Sequence, residues 1–256
     1  MQPLLIDLSG KTALVTGASG ELGRVMAMTL ARSGADVAIH YFQNQAKAQE
    51  LCEKIKALGR RAFVVQADAT CPESVKAMQV KIIAEFGCID LLILNAVKQY
   101  IWKPLLEQDP MDYLGQFEST VMQTVHLTQA FVPAMIAKGQ GRVIGINTEC
   151  TMQCLPTQSA YVAGKRGMDG VLRVLAREVG PSSITVNQVA PGWTVSDKDR
   201  TQHSERNEGY EQGVPLRRRG TDQEVANVVA FLASDLASFI TGAYIPVSGG
   251  NVMPTV

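Results

Sequence analysis

The 256-residue sequence predicts a single doubly wound α/β domain with a seven-stranded parallel sheet. Seven short apolar runs, rich in aliphatic and β-branched residues, are typical of strands that are buried on both faces. Six longer segments with helical spacing lie between them, and strands that alternate with helices form parallel sheets with right-handed crossovers. Neither an internal repeat nor a change in composition divides residues 1–256, so we expect one domain.

The order of these segments defines the expected elements. The predicted strands are Thr12–Val15, Val37–Ile39, Ala62–Val65, Leu91–Leu94, Val143–Ile146, Ile184–Val189 and Ala243–Val247. The predicted helices are Leu22–Ser33, Ala46–Leu58, Pro72–Phe86, Met111–Lys138, Ala160–Val179 and Asp222–Ser234. A polar segment at about 194–215 carries charges of both signs and breaks the alternation, which favours a mobile insertion or lid beside a binding site.

The composition argues against several classes of protein. Lys+Arg and Asp+Glu number 24 each, so no excess of positive charge indicates a nucleic-acid or membrane partner. The five cysteines form no CxxC pair and the three histidines (40, 126 and 203) are scattered, so neither disulfides nor a metal site is predicted. No apolar run approaches the ~20 residues of a membrane helix, and the N-terminus lacks the pattern of a signal peptide. We therefore expect a cytoplasmic location.

A glycine-rich turn follows the first predicted strand. Gly17, Gly20 and Gly23 are three residues apart in the segment TGASGELG at 16–23, where a helix begins. Glycine permits a tight turn and a close approach of the backbone to phosphate, and the helix N-terminus offers free N–H groups to an anion. The pattern therefore predicts a dinucleotide-binding site.

The end of the second strand indicates which dinucleotide is bound. An acidic residue there would hydrogen-bond the ribose 2′-hydroxyl of NAD, but the position is occupied by Tyr41. NADP is therefore preferred to NAD, although the nearest cation that could pair with a 2′-phosphate is Lys47.

Tyr161 and Lys165 are four residues apart at the start of a predicted helix, so they share one face of it. A free tyrosine titrates near pH ~10, and a neighbouring ammonium together with a positive nicotinamide ring would lower that pKa. The phenol could then give a proton to a carbonyl, or take one from an alcohol, near neutral pH. The spacing alone favours an ordinary pair on a helix surface, so its interpretation as a catalytic pair depends on context.

That context comes from several motifs in a fixed order. They are TGASGELG at 16–23, Asp68 after the third strand, LNA at 94–96, YVAGK at 161–165, VNQVAPG at 186–192, FLASDLASFITG at 231–242 and SGGN at 248–251. Nearly end to end, the chain resembles the short-form branch of the short-chain dehydrogenase/reductase family. Its C-terminal half is most similar to 3-oxoacyl-carrier-protein reductases and related ketoreductases.

The resemblance implies roles for individual positions. Tyr161 would be the general acid/base, Lys165 would hold the nicotinamide ribose, and the hydroxyls of Thr148 and Thr120 would complete the catalytic set. The implied cofactor contacts, which include the catalytic pair, are Gly17, Ser19, Gly20, Leu22, Gly23, Tyr41, Asp68, Ala69, Asn95, Tyr161, Lys165, Pro191, Gly192 and Thr194. Trp193 and the 194–215 lid would shape the substrate pocket. The family also implies a homotetramer or homodimer packed through the helices at 111–138 and 160–179.

Four positions depart from the family pattern. Thr148 stands where serine is usual; it keeps the hydroxyl, but its methyl group restricts the rotamers. Thr120 stands where an asparagine is usual, and we do not expect it to kink the helix in the same way. Val97 and Glu21 stand where the family usually has glycines. The Val97 side chain narrows the space in which the cofactor approaches the backbone. The Glu21 carboxylate would repel a pyrophosphate unless its side chain is turned away.

These observations predict an NAD(P)-dependent oxidoreductase that transfers hydride between the nicotinamide and a small carbonyl or alcohol substrate, which can be thioester-linked. Two alternatives stay open: an enoyl reductase of the same fold, and a dinucleotide-sensing protein without turnover. Three further questions stay open at the level of side chains. Glu149 is either a second acid or a strand-end residue facing away. The side chains of Met152, Tyr100, Trp102 and Trp193 form either a substrate wall or part of the core. Arg217–Arg219 either contact a phosphorylated carrier or form a solvated charge run.

Overall fold

The computed structural model describes residues 5–254, and its main sheet has seven strands with helices on both faces. The strands are β1 (Thr12–Val15), β2 (Asp36–Tyr41), β3 (Ala62–Gln66), β4 (Leu91–Leu94), β5 (Gly141–Ile146), β6 (Ile184–Pro191), β7 (Thr194–Val195), β8 (Gly220–Thr221) and β9 (Tyr244–Val247). The order in the main sheet is β3-β2-β1-β4-β5-β6-β9, and every neighbouring pair is parallel. This architecture confirms the predicted fold class.

Helices connect the strands, and seven of them correspond in position to the six predicted segments. They are α1 (Glu21–Arg32), α2 (Gln45–Lys56), α3 (Pro72–Phe86), α4 (Pro110–Gln116), α5 (Gln123–Lys138), α6 (Cys150–Gln153), α7 (Ser159–Val179), α8 (Asp197–Gln202), α9 (Glu208–Glu211) and α10 (Asp222–Ala233). The prediction of one unbroken helix over 111–138 is wrong, because α4 and α5 are joined by a π-helical turn over Phe117–Met122. The hydroxyls of Thr120 and Thr124 donate to carbonyls four residues earlier, which competes with the regular backbone pattern.

The buried side chains form one apolar layer on each face of the sheet. Val15 and Ile93 belong to the layer under α1, α2 and α10, whereas Leu14 and Leu92 belong to the layer under α3, α5 and α7. Adjacent residues of β1 and β4 thus point to opposite faces, which is why both strands read as continuous apolar runs. The strand order reverses between β1 and β4, and in such sheets ligands bind in the crevice at this point, beyond the carboxyl ends of the strands.

The polar segment after β6 folds into α8 and α9, and β7 pairs with β8 on its return. Asp197 pairs with Arg24 of α1, and Arg200 pairs with Asp222 of α10 at 2.7 Å, so α8 is joined to the body of the domain. Arg219 is only 4% exposed and donates to Asp199 and to the carbonyl of Thr194. The interpretation of a solvated charge run is therefore wrong for Arg219. Its hydrogen bonds to Thr194 and Asp199 hold the first part of the lid. Within residues 5–254, no helix is long and apolar enough to cross a membrane.

Candidate active site

The glycine-rich turn lies at the carboxyl end of β1. Gly17 has a φ of +62°, which L side chains rarely adopt, and Gly20 is the extended N-cap residue of α1. A Cβ on Gly23 would overlap the carbonyl oxygen of Gly17 and lie 2.9 Å from Ala18 Cα, so α1 packs directly on the turn. In the described residues no side chain caps the start of α1, so Ser19, Leu22 and their neighbours present a helix N-terminus to the crevice.

His40 holds this turn in place, and no pattern in the sequence indicated that role. Its Nδ1 accepts a hydrogen bond from the Gly17 N–H at 3.0 Å, and its Nε2 lies 3.0 Å from the carbonyl of Ala67. Nδ1 must be unprotonated to accept, so Nε2 carries the proton and donates to Ala67. Burial lowers the pKa of His40, which keeps the ring in this neutral form.

Asn95 is the second support of the turn. Its Nδ2 donates to the carbonyl of Thr16 at 2.9 Å and to that of Gly17 at 3.3 Å. The Thr16 hydroxyl in turn accepts the backbone N–H groups of Asn95 and Ala96. These bonds join the ends of β1 and β4, so Asn95 lies in the crevice with its amide directed at the backbone. Val97 follows in the same loop and is partly exposed.

The ends of β2 and β3 lie beside the turn. Tyr41 is 6% exposed and packs in the apolar core, so Phe42 is the first side chain after this strand to reach the surface. The Asp68 carboxylate accepts the N–H and the hydroxyl of Thr70 through one oxygen, at 2.9 and 2.7 Å. Ala69 beside it is buried. The structure therefore brings Asp68 to the crevice edge, while the Tyr41 ring points away from it.

Tyr161 and Lys165, the predicted catalytic pair, lie on the first turns of α7. The Tyr161 N–H, which has no partner inside the helix at this position, donates to the Tyr100 hydroxyl at 2.9 Å. Lys165 is 2% exposed, and its Nζ donates to the carbonyl of Ile146 at 2.6 Å. The ammonium lies 5.9 Å from the centroid of the Tyr161 ring. Tyr100, considered above as a wall residue, thus fixes the start of the helix that carries Tyr161.

Burial shifts both titrating groups of the pair. Burial raises the pKa of the Tyr161 phenol well above its usual range, the nearby Cys150 thiol adds to this, and a hydrogen bond with Thr148 partly offsets it. Burial lowers the pKa of Lys165 to about 8. These shifts favour a neutral phenol beside an ammonium that loses its proton more easily than a free lysine does.

The two threonines occupy different surroundings. Thr148 follows β5, is 6% exposed, and accepts the Cys150 N–H through its hydroxyl oxygen at 3.2 Å. Thr120 lies in the π-helical turn, is fully buried, and donates to the carbonyl of Gln116 at 2.5 Å. A Cβ on Gly164 would lie 2.6 Å from the Thr120 hydroxyl, so Thr120 packs against the helix of the catalytic pair. The helix widens into a π-helical turn at Thr120, although this position holds no asparagine.

The end of β6 closes the far side of the site. Pro191 accepts the Glu149 N–H at 3.0 Å, and the Gly192 N–H donates to the carbonyl of Val247. Thr194 begins β7 and the lid. Glu149 is 3% exposed and accepts hydrogen bonds from lid and C-terminal residues, so it neither faces away from the site nor lies open to substrate.

Comparisons with known proteins agree with this geometry. A family model described as enoyl-(acyl carrier protein) reductase matches residues 17–251. The 3-oxoacyl-(acyl-carrier-protein) reductase FabG of Staphylococcus epidermidis is 37% identical over 245 residues, which is 95% of this chain and 99% of that protein. FabG of Escherichia coli K12 is 37% identical over 250 residues, covering 97% of this chain and 100% of its own.

The chain belongs to the short-chain dehydrogenase/reductase family. Among solved structures, a 7α-hydroxysteroid dehydrogenase in complex with NADH and 7-oxo glycochenodeoxycholic acid matches this short-chain dehydrogenase/reductase with a TM-score of 0.88 and 30% identity, over 97% of both chains. The promiscuous reductase LugOII, which catalyses keto-reduction at C1 in lugdunomycin biosynthesis, matches with a TM-score of 0.87 and 32% identity, over 96% of this chain and 99% of its own. The predicted NAD(P)-dependent oxidoreductase acting on a carbonyl or alcohol is thereby confirmed.

The residues of the crevice fit a nicotinamide dinucleotide. The uncapped start of α1 is suited to a pyrophosphate, because its N–H groups and its dipole both favour an anion. An ammonium has three N–H donors, and the carbonyl of Ile146 accepts only one of those on Lys165, which leaves two for ribose hydroxyls. A buried, partly satisfied ammonium of this kind is costly unless a ligand completes its hydrogen bonds.

Proposed function

We propose that this enzyme reduces the carbonyl of a 3-oxoacyl thioester with NADPH, with Tyr161 as the proton donor. The arrangement of Tyr161 and Lys165 on α7, beside the Thr148 hydroxyl, carries the proposal. The bound dinucleotide supplies the hydride. Tyr161 gives its proton to the carbonyl oxygen while Thr148 donates a hydrogen bond to the same oxygen, so the developing negative charge is stabilised as it forms.

The remaining site residues act through binding. Lys165 holds the nicotinamide ribose with its two free N–H groups, and its charge lowers the cost of forming the phenolate. Asp68 accepts a hydrogen bond from the adenine, and the turn at 17–23 binds the pyrophosphate. Asn95, Pro191, Gly192 and Thr194 line the nicotinamide end, while Thr120 supports α7 through its contact with Gly164.

NADPH is the preferred cofactor in this proposal. No carboxylate follows β2 in the segment Tyr41–Asn44 that would repel a 2′-phosphate. Lys47, in the first turn of α2, lines a groove together with Arg24 of α1, whose guanidinium is paired with Asp197. The Lys47 ammonium favours the extra phosphate of NADPH over the ribose diol of NADH.

The test is a turnover assay with 3-oxobutanoyl-coenzyme A and either NADPH or NADH. Tyr161→Phe removes only the phenolic hydroxyl, so we expect kcat to fall about 100-fold or more while NADPH still binds. Tyr113→Phe is the matched control, because the Tyr113 hydroxyl lies 2.7 Å from the hydroxyl of Ser159 at the start of the same helix. Equal losses in both variants would show that the hydroxyl acts through helix structure, and an active Tyr161→Phe enzyme would reject the mechanism.

Reduction of an enoyl thioester is the second candidate, since the matching family model carries that description. Crotonyl-coenzyme A in the same assay separates the two: turnover of crotonyl but not 3-oxobutanoyl thioester would replace the first proposal. NADPH binding without turnover of any carbonyl or enoyl substrate would favour the sensing protein instead.

We also propose that two or four copies assemble through α5 and α7. These helices share an apolar surface groove lined by Val132, Ile136, Val171 and Val174, of which Ile136 and Val174 are about half exposed. Exposed aliphatic side chains gathered on two neighbouring helices are typical of a covered interface. Val174→Glu should therefore lower the mass measured by light scattering to that of a smaller assembly, whereas an unchanged mass would exclude this face.

A further inference from the structure

A buried carboxylate lies next to the catalytic threonine without taking part in the proposed proton transfer. Glu149 follows Thr148, is 3% exposed, and has no cationic partner among the residues that the structure describes. Burial raises its pKa, and hydrogen bonds from Tyr210 and Asn251 partly offset this effect. A carboxylate is costly to bury unless its oxygens are hydrogen-bonded, so its partners indicate what it is for.

Both partners come from segments distant in the sequence. The Tyr210 hydroxyl, on α9 of the lid, donates to Glu149 Oε1 at 2.8 Å. Asn251 Nδ2, after β9, donates to Glu149 Oε2 at 3.1 Å. Glu149 therefore connects the end of β5 to both the lid and the C-terminal segment.

The Tyr210 hydroxyl also connects Glu149 to Trp193, the residue just before the lid segment. Its oxygen accepts the backbone N–H of Trp193 at 2.9 Å while its proton is donated to Glu149. The rings of Tyr210 and Trp193 meet edge to face, with centroids 5.5 Å apart and planes at 77°. The Arg219 guanidinium lies 4.6 Å from the Trp193 ring centroid, so the indole is held from several directions although it is 49% exposed.

Gly192 shows how closely this cluster is packed. A Cβ at this position would lie 2.6 Å from the Tyr210 hydroxyl and 3.0 Å from Glu149 Oε2. The turn between β6 and the lid thus runs directly over the hydrogen-bonded pair, and there is no room for a side chain. The Tyr210 hydroxyl is therefore enclosed by Glu149, by Gly192 and by the Trp193 N–H that it accepts.

We propose that Glu149 is a positioning residue that fixes Trp193 at the mouth of the substrate pocket through the Tyr210 hydroxyl, and so determines substrate affinity rather than the chemical step. Glu149 and Thr148 are consecutive, which places this anchor one residue from the hydroxyl expected to bind the substrate carbonyl. Loss of the anchor frees the lid to sample positions in which Trp193 no longer contacts the substrate. The inference rests on the proposed carbonyl reduction for its kinetic test but not for its structural one.

The structural test uses the intrinsic fluorescence of Trp193. The sequence has only two tryptophans, so in a Trp102→Phe background Trp193 is the only one. Quenching by acrylamide is compared, without cofactor or substrate, in that background and after adding Glu149→Leu, Glu149→Gln or Tyr210→Phe. We expect Glu149→Leu and Tyr210→Phe to raise the quenching constant about twofold, since both remove the hydrogen bond between the lid and β5. Glu149→Gln keeps a carbonyl that accepts from Tyr210 and should stay near the background value.

The kinetic test uses the same substitutions in the otherwise unchanged chain. Loss of a hydrogen bond to a carboxylate changes an equilibrium about tenfold or more, so KM for the ketone should rise by about that factor while kcat stays within about threefold. Glu149→Gln should restore KM, and Glu208→Leu, which removes an exposed lid carboxylate on α9, should leave both constants unchanged.

Three results would overturn the proposal. Unchanged quenching in both Glu149→Leu and Tyr210→Phe would show that the cluster does not hold Trp193. A fall in kcat at constant KM would show that Glu149 acts in the chemical step. A Glu149→Gln enzyme as impaired as Glu149→Leu would show that the charge, not the hydrogen bond, is required. If Glu149→Leu fails to fold, Tyr210→Phe and Glu149→Gln still decide the question, and if no ketone is reduced, the quenching data decide it without turnover.

Discussion

The indole of Trp102 stacks on the phenol ring of Tyr161, with ring centroids 5.8 Å apart and planes inclined by 29°. Trp102 is 42% exposed, so one face of its indole is open to solvent while the other covers the Tyr161 ring, the proposed proton donor. Together with Tyr100 it forms an aromatic wall on one side of Tyr161, as one of the interpretations of the sequence proposed. This contact keeps water from part of the phenol, which is one source of its raised pKa.

Replacing Trp102 by alanine should change both the rate and the pH dependence of reduction. An aromatic pair contributes about 0.5–1.5 kcal/mol, so we expect kcat/KM to fall about 2- to 12-fold. Exposure of the phenol to water lowers its pKa, and reduction needs the protonated phenol, so the alkaline limb of the kcat/KM profile should move to lower pH. Trp102→Phe keeps an aromatic ring and should keep the parent profile; the same shift in both variants would exclude shielding as the cause.

Lys165→Met should inactivate the enzyme and yet stabilise it without cofactor at pH 7. The pKa of Lys165 falls from 10.5 to about 8 on folding, so the charged form destabilises the fold by roughly 3 kcal/mol below pH 8. Loss of the hydrogen bond to Ile146 reverses about 1 kcal/mol of the gain. Between pH 8 and 10.5 the unfolded chain binds more protons, so the parent protein gains stability and the advantage of the variant shrinks. Thermal unfolding at pH 7 and pH 10, with exposed Lys76→Met as control, measures this; a variant less stable than the parent at pH 7 would contradict it.

His40→Leu should weaken dinucleotide binding. The substitution leaves the Gly17 N–H and the Ala67 carbonyl without their partner, and each unmet buried group costs about 1–3 kcal/mol, divided between stability and the geometry of the turn. We therefore expect the Kd for NADPH to rise about tenfold or more, with a lower thermal midpoint. His203→Asn, at an exposed left-handed position of the lid, is the control for removing a histidine. An unchanged Kd in fluorescence titration would show that the turn holds its shape without the imidazole.

Lys47→Glu should reduce the preference for NADPH over NADH. A unit charge about 4 Å from a phosphate in water contributes about 1 kcal/mol, so reversing it should lower the ratio of the two affinities at least fivefold. Lys54→Glu is the matched control, because Lys54 lines the same groove further from the sheet edge and pairs with Glu50. Equal effects of both substitutions would indicate that the electrostatic potential of the whole groove, and not a contact between Lys47 and the 2′-phosphate, determines the preference for NADPH.

The local sequence determined the order of elements, and it predicted Tyr161 and Lys165 as the reacting pair. Alternation of apolar runs and helical segments depends on neighbouring residues only, and it predicted all seven strands of the main sheet to within a few residues, β2, β5 and β6 being at least two residues longer than expected. The turn at 17–23 and the spacing of Tyr161 and Lys165 are likewise local patterns. A positive φ favours glycine at a given position, and residues four apart in a helix share one face. These features could be read without knowing which segments meet in space.

The contacts that complete the site were decided by the tertiary structure. Glu149 reaches Tyr210 across 61 residues and Asn251 across 102, and His40 reaches Gly17 across 23. Burial of Tyr41 and Arg219 and the π-helical turn before α5 equally depend on which elements pack together. The residues next to a glutamate or a histidine in the sequence do not reveal whether its side chain is solvated or buried. Only the crossovers of the sheet, which bring the ends of β1, β2, β5 and β6 to one edge, determine which polar groups must satisfy each other there.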